Sequence, residues 1–269
     1  MHIPQEMLTG PICPVTATVA GITLAAAAGW AFTHRTEPIV QSLKKFIGVT
    51  AIIFVLQALN FPIWHGISGH FIGGVLAAAI LGIPLGMISM ATVLSIQAVF
   101  FGDGGIDALG ANILNMGIIG AGVGGLIRLG LNKIGTNNLV STANAAFFGL
   151  ILAVLALDAE LIICGKGSVE VYENLMFAHL PLAIAESFIA AALYALLTQD
   201  VRQPSLNFSL VSAVIVVVIG LVLLKYPGAS SLPDGLEWTE EKCQLTATDA
   251  NSDDAQSAET PQVEATQKL

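Results

Sequence analysis

Charge is what this sequence is short of. Asp, Glu, Lys and Arg make up 11% of its 269 residues, against roughly a quarter in soluble globular chains. With 55% hydrophobic residues and a mean hydropathy of +0.78, that shortage excludes a soluble globule and makes the chain an integral membrane protein. Cysteine is scarce as well. Cys13, Cys164 and Cys243 lie far apart with no CxxC pair, so neither a disulfide framework nor a zinc knuckle is indicated. Phosphate-binding motifs are also missing. The glycine-rich stretch FGDGGIDALGANILNMG at 101–117 has no dinucleotide or nucleotide spacing. GKGS at 165–168 lacks both the upstream glycine and the Ser or Thr after Lys166 that a P-loop needs. No ATPase site is legible, and an enzyme is not indicated.

The net charge of −9 is local. The stretch after Tyr226 holds nine of the nineteen acids and two of the ten bases, which leaves about −2 for everything before it. From Pro227 onward the chain is polar, acidic and poor in large apolar residues, a composition that predicts a solvated, disordered tail. The domain reading is therefore a membrane unit over 1–226 and a polar segment over 227–269.

A helix needs roughly 20 apolar residues to cross about 30 Å of hydrocarbon. Eight runs qualify: 15–33, 46–61, 70–83, 85–101, 112–131, 142–158, 176–198 and 209–226. GIPLG at 82–86 separates two short runs that form either two spans or one broken element. The fold class is thus an all-α bundle of about seven to eight transmembrane helices, with the N-terminal segment plugging its outer face. Lys and Arg near span ends stay cytoplasmic. Arg35, Lys44, Lys45, Arg128, Lys133 and Arg202 share one side, while Asp103, Asp107, Asp158, Glu160, Glu170 and Glu173 occupy the other. The N-terminus is expected outside. No Lys or Arg precedes the first apolar run, the reverse of a secretory signal. Gly120 and Gly124 form a GxxxG in GIIGAGVGGLIRLG at 117–130, as close helix packing in lipid requires.

The start, MHIP, carries chemistry. Methionine before the bulky His2 is not trimmed, so the free amine of Met1 is expected to persist. That amine, the His2 backbone nitrogen and the His2 imidazole Nδ1 close a five- and a six-membered chelate ring around one metal ion. The amide must lose its proton, which favours ions that accept tetragonal nitrogen sets, Ni(II) or Cu(II). A fourth nitrogen is available from NFPIWHGISGHFIGG at 60–74, where His65 and His70 lie on the same predicted face.

Four stretches together, MHIP, GISGHFIGG, FGDGGIDALGANILNMG and HLPLAIAE at 179–186, resemble the CbiM/NikM family over approximately residues 1–200. These are the substrate-binding membrane subunits of energy-coupling factor transporters for cobalt and nickel. SSLPDGLEW at 230–238 resembles the PDGLE segment that trails or is fused to such subunits. The resemblance implies Ni(II) or Co(II) as transported substrate, with no organic cofactor. It implies metal ligands at Met1, His2 and His70, and localisation in a prokaryotic inner membrane. The implied partners are a transmembrane coupling subunit, two cytoplasmic ATPases and a small accessory membrane subunit, with no nucleic acid.

Two departures stand out. Gln5 and Glu6 replace the family's DG, and His65 stands where a small residue is usual, which leaves it as an outer capture residue or an alternative to His70. Glu186 and His179 share a helix face but lie about 10 Å apart along the axis, too far to pair directly. They serve either as bundle contacts or in transport. Asp103, Asn112 and Asn115 either orient ligands or cap helices. Of the rival readings, an organic-micronutrient binder has only Trp30 and Trp64 to stack against its cargo. An intramembrane metalloenzyme lacks an HExxH pair, because His65 and His70 do not have that spacing.

Overall fold

The computed structural model describes residues 2–4, 7–8, 10–34, 36–64, 67–198 and 232–243. Met1, His65 and the predicted eighth span at 209–226 lie outside the described residues. Among the described residues, six helical segments are long and apolar enough to cross a membrane. They are α1 (Ile12–Thr33), α2 (Ile39–Gln57), α4 (Ile83–Ile96) continuing as a π-helical turn over Gln97–Phe101, the composite rod described next, α7 (Asn138–Ile163) and α8 (Val169–Thr198). The rod joins α5 (Leu109–Asn112), a π-helical stretch over Ile113–Val123 and α6 (Gly124–Lys133). Large apolar side chains such as Val15, Ile22, Phe32, Ile47, Phe148 and Phe188 face outward along these helices. A bilayer, not water, suits that surface.

The structure resolves the doubtful pair of predicted spans. The chain leaves α2 earlier than the apolar run suggests and forms an antiparallel hairpin, β1 (Phe61–Trp64) with β2 (Ile67–Gly69). After the turn at His70–Gly73 comes α3 (Gly74–Leu81), eight residues long. At 1.5 Å per residue it covers about 12 Å, too short to cross. Gly82, at φ 83°, breaks it, and Pro84 in the first turn of the next helix starts α4. The segment at 70–83 is therefore a short buried element and not a span. The α7 helix is longer than predicted, so Asp158 and Glu160, read from sequence as loop acids, sit buried in its last turns.

Small residues let the backbones touch. A Cβ on Gly149 of α7 would lie 3.3 Å from Gly120 O and 3.4 Å from Gly124 Cα, so the predicted GxxxG is a helix contact. A Cβ on Gly74 would meet Ala121 N at 2.9 Å, which seats α3 in the centre of the bundle. Lys44, Lys45, Arg128 and Lys133 gather at one end. There Arg128 Nε donates to Thr142 Oγ1 at 2.8 Å and its guanidinium lies 4.7 Å from the centre of the Tyr194 ring. The hairpin, the turn after it, the loop at 102–108 and the N-terminal residues meet at the other end.

Residues 232–243 depart from the expected solvated tail. They pair with the hairpin and form a short helix over 235–243, with Leu236 and Thr239 buried.

Candidate metal centre

The N-terminal segment is drawn into the bundle by its own backbone. Ile3 N donates to Asn112 Oδ1 at 2.8 Å, and Asn112 Nδ2 donates to Ile3 O at 3.3 Å. Ile3 is fully buried, and Met7 and Leu8 follow it into the core. Gly104 in the loop above, at φ 75°, has no room for a side chain: a Cβ would strike Asn112 Nδ2 and lie 3.2 Å from Ile3 O. Glycine is required there both for the left-handed backbone and for the close approach.

This clamp places His2, 7% exposed, against His70, 5% exposed. Their ring centroids are 5.3 Å apart and the planes are inclined by 30°. Two imidazoles on one ion with bonds of about 2 Å would have centroids roughly 4.5 Å apart at right angles and roughly 6 Å apart when opposed, so the observed separation falls within the range one metal spans. His2 Nε2 lies 3.1 Å from Gln97 Oε1. With Nε2–H donating to that amide, the lone pair is left on Nδ1, free to bind a metal ion. His70 Nδ1 lies 3.2 Å from Phe71 O, and its Nε2 is buried with no hydrogen-bond partner among the described residues. A buried nitrogen without a partner calls for an explanation, and a metal ion supplies one.

The turn that carries His70 is held from below. Glu186 Oε2 accepts from Ile72 N at 2.9 Å and Glu186 Oε1 accepts from Gly73 N at 2.8 Å, while Gln57 Nε2 donates to Ile72 O at 2.6 Å. Glu186, a buried acid in α8, thus orders the two amides that follow the His70–Phe71 pair. His179, two turns from Glu186 on α8, donates through Nδ1 to Leu175 O at 2.9 Å and has a buried Nε2 with no partner among the described residues.

Electrostatics keep the imidazoles neutral. Burial, then the amino-terminal positive charge, push His2 down to about 3. The same two causes, followed by His2 itself, push His70 down to about 3. Asp103 lies with Oδ2 3.3 Å from His2 Nδ1, and burial raises its carboxyl above the ordinary value. Among the described residues no three His, Cys, Asp or Glu side chains form a metal site by themselves.

Of the residues singled out in the sequence, His2, His70, Asp103 and Asn112 come together, with Glu186 supporting them. Asn115 does not join them: its Nδ2 donates to Glu160 Oε2 at 2.8 Å in α7. His34 stacks on Trp30 at 3.9 Å on an exposed surface, at the end of α1 far from His2. Gln97 was not singled out. As a single amide inside the apolar run at 85–101, at the start of the π-helical turn that continues α4, it carries the signal of an intramembrane polar residue.

Compared with known proteins, the chain matches the family model described as "Cobalt uptake substrate-specific transmembrane region" over residues 2–206. It is 33% identical over 217 residues to a Haloquadratum walsbyi protein named for metal transport, covering 78% of this chain and 94% of that one. It is 36% identical over 169 residues to the fused nickel transport protein NikMN of Rhodobacter capsulatus, covering 60% of this chain and 46% of that one. It is also 32% identical over 168 residues to the cobalt transport protein CbiM of Carboxydothermus hydrogenoformans, covering 60% and 68%. The chain spans under half the length of the fused nickel transport proteins it matches. Among solved structures, a truncated transition metal transporter superposes with a TM-score of 0.65 at 31% identity, covering 73% of this chain and 98% of that one.

Proposed function

The chain belongs to the cobalt uptake substrate-specific transmembrane family, and from that premise we propose that it captures Ni(II) or Co(II) through a chelate built on its own N-terminus. The ligands are the Met1 amine, the His2 amide nitrogen, His2 Nδ1 and His70 Nε2. The observation that carries this reading is the buried Nε2 of His70, without a hydrogen-bond partner among the described residues, beside the His2 ring, 5.3 Å from centroid to centroid. Gln97 sets the His2 tautomer, Asn112 anchors the next residue, and Glu186 fixes the turn behind His70; such outer contacts orient ligands and tune affinity. A plane of four nitrogens with one ionised amide suits Ni(II) better than Co(II).

The centre faces the outer side of the prokaryotic inner membrane. Lys44, Lys45, Arg128 and Lys133 at the opposite end of the bundle support that orientation. Release inward is driven by partners: a transmembrane coupling subunit and two cytoplasmic ATPases, with a small accessory membrane subunit. The absence of a P-loop motif in the sequence supports a borrowed energy source.

The test is Ni(II) binding by protein beginning at native Met1 with a free amine, compared with the same chain acetylated on that amine. Acetylation removes the amine lone pair from the chelate and is expected to abolish tight binding and the square-planar absorption band while leaving the helical circular dichroism intact. Equal affinity in both defeats the reading. His70→Ala is expected to lose more affinity than His65→Ala, and the reverse order would move the fourth ligand to His65.

A further inference from the structure

We propose that residues 232–243 are a built-in closing segment of the cation site, and that Asp234 supplies the carboxylate that balances the charge of the bound ion. The inference rests on the chelate described above and adds a residue and a segment to it.

The segment is locked onto the element that carries His70. Ser68, two residues before His70 and 1% exposed, donates through N to Pro233 O at 2.8 Å and through Oγ to Leu232 O at 2.6 Å, and it pairs with Asp234 in a parallel bridge. On the other flank, Gly235 rests against α8: a Cβ there would stand 2.8 Å from His179 Cε1 and 3.1 Å from Ala178 Cβ. Leu236 is fully buried, and Trp238 stacks near Phe177 with centroids 5.8 Å apart. Asp234 is thus wedged between the strand that leads to His70 and the imidazole of His179. Its charge acts on His2, His70, Asp103 and His179.

The charge count calls for such a group. A dication bound by one ionised amide, a neutral amine and two neutral imidazoles keeps one net positive charge, and a buried charge is costly unless it is paired. Asp103 is near, but its side chain is 45% exposed and shared with solvent.

Asp234 also caps the short helix. Its Oδ1 accepts from Leu236 N at 2.8 Å and Glu237 N at 3.0 Å, and Glu237 Oε2 accepts from Asp234 N at 2.9 Å, a reciprocal capping box. Capping alone is served about equally well by Asn, which separates the two roles.

The experiment uses the full chain with native Met1, titrated with Ni(II), alongside hydrogen exchange of the amides at 232–243. Asp234→Asn keeps the cap and removes the charge. It is expected to leave the segment protected while weakening Ni(II) binding about tenfold or more, the range for lost outer-sphere partners. Gly235→Val is expected to drive the segment off His179, with loss of both protection and affinity. Unchanged affinity in Asp234→Asn, or free exchange of 232–243 in the nickel-loaded protein, overturns the inference. His2→Ala tells the two readings apart. If it abolishes binding while Asp234→Asn binds as the unmodified chain does, the chelate stands and only the closing segment falls. If the unmodified chain binds no Ni(II), both fall.

Discussion

Asn112 grips Ile3 at both ends of one residue, accepting from its N–H at 2.8 Å and donating to its carbonyl at 3.3 Å, across 109 positions of sequence. A single amide thereby does for the N-terminal segment what a neighbouring strand does in a sheet. Both partners are buried. Replacing Asn112 by Ala leaves two main-chain groups of Ile3 unpaired, at a cost of about 1–3 kcal/mol for each group left dry. That cost falls on docking of the segment. Asn112→Ala is expected to bind Ni(II) at least about tenfold more weakly in equilibrium dialysis, with the bundle still folded. Affinity equal to that of the unmodified chain would show that the grip does not position the ligand.

Gly104→Ala tests the same clamp from the loop side. The new methyl collides with the Asn112 amide and presses on Ile3 O, and the residue must hold φ near 75°, where glycine is favoured by about 1 kcal/mol or more. The expected outcome is a loss of Ni(II) affinity comparable to that of Asn112→Ala. The double variant is expected to lose less than the sum of the two, because both changes free the same segment. Fully additive losses in a double-mutant cycle would mean the two residues act separately.

Glu186 makes a different prediction, because the two hydrogen bonds it accepts both come from main chain. Its two oxygens accept from Ile72 N and Gly73 N, so Glu186→Gln turns one acceptor into a donor facing an N–H. Stability is expected to fall by about 1–3 kcal/mol. The melting temperature in detergent should drop, and Ni(II) affinity should fall along with it, because the His70 turn loosens. A lower melting temperature with unchanged affinity would assign Glu186 to the bundle alone.

How much of this centre was legible in the sequence depends on what kind of bond each residue makes. The pairing of His2 with His70, whose rings lie 5.3 Å apart, was readable because the two histidines stand in short motifs that have company. The task of Glu186 was not, since its partners are backbone amides 113 and 114 positions away and any sequence offers amides. The α3 helix was half-visible: GIPLG announced a break, but its eight buried residues have the hydropathy of a span without the length. Composition misjudged 232–243, because the segment is held by hydrogen bonds from the N–H and hydroxyl of Ser68 to its main-chain carbonyls and by buried side chains such as Leu236. The Asp234–Glu237 pair was the available sign of a helix start.

Proton release offers the sharpest check on the charge states. At pH 7 an ordinary α-amino group, with a pKa near 8, is mostly protonated, so binding through amine and amide expels about two protons, one from each. His2 and His70 stand at about 3, far below the ordinary histidine value, so both enter the complex already neutral. Lowering the pH to 5.5 would protonate most of an ordinary histidine population and raise the release toward about four. In this chain release is expected to stay near two across that range. Calorimetry of Ni(II) binding in buffers of different ionisation enthalpy measures the number directly. A climb toward four as the pH falls would show that the rings are charged before the metal arrives, and that burial does not hold them neutral.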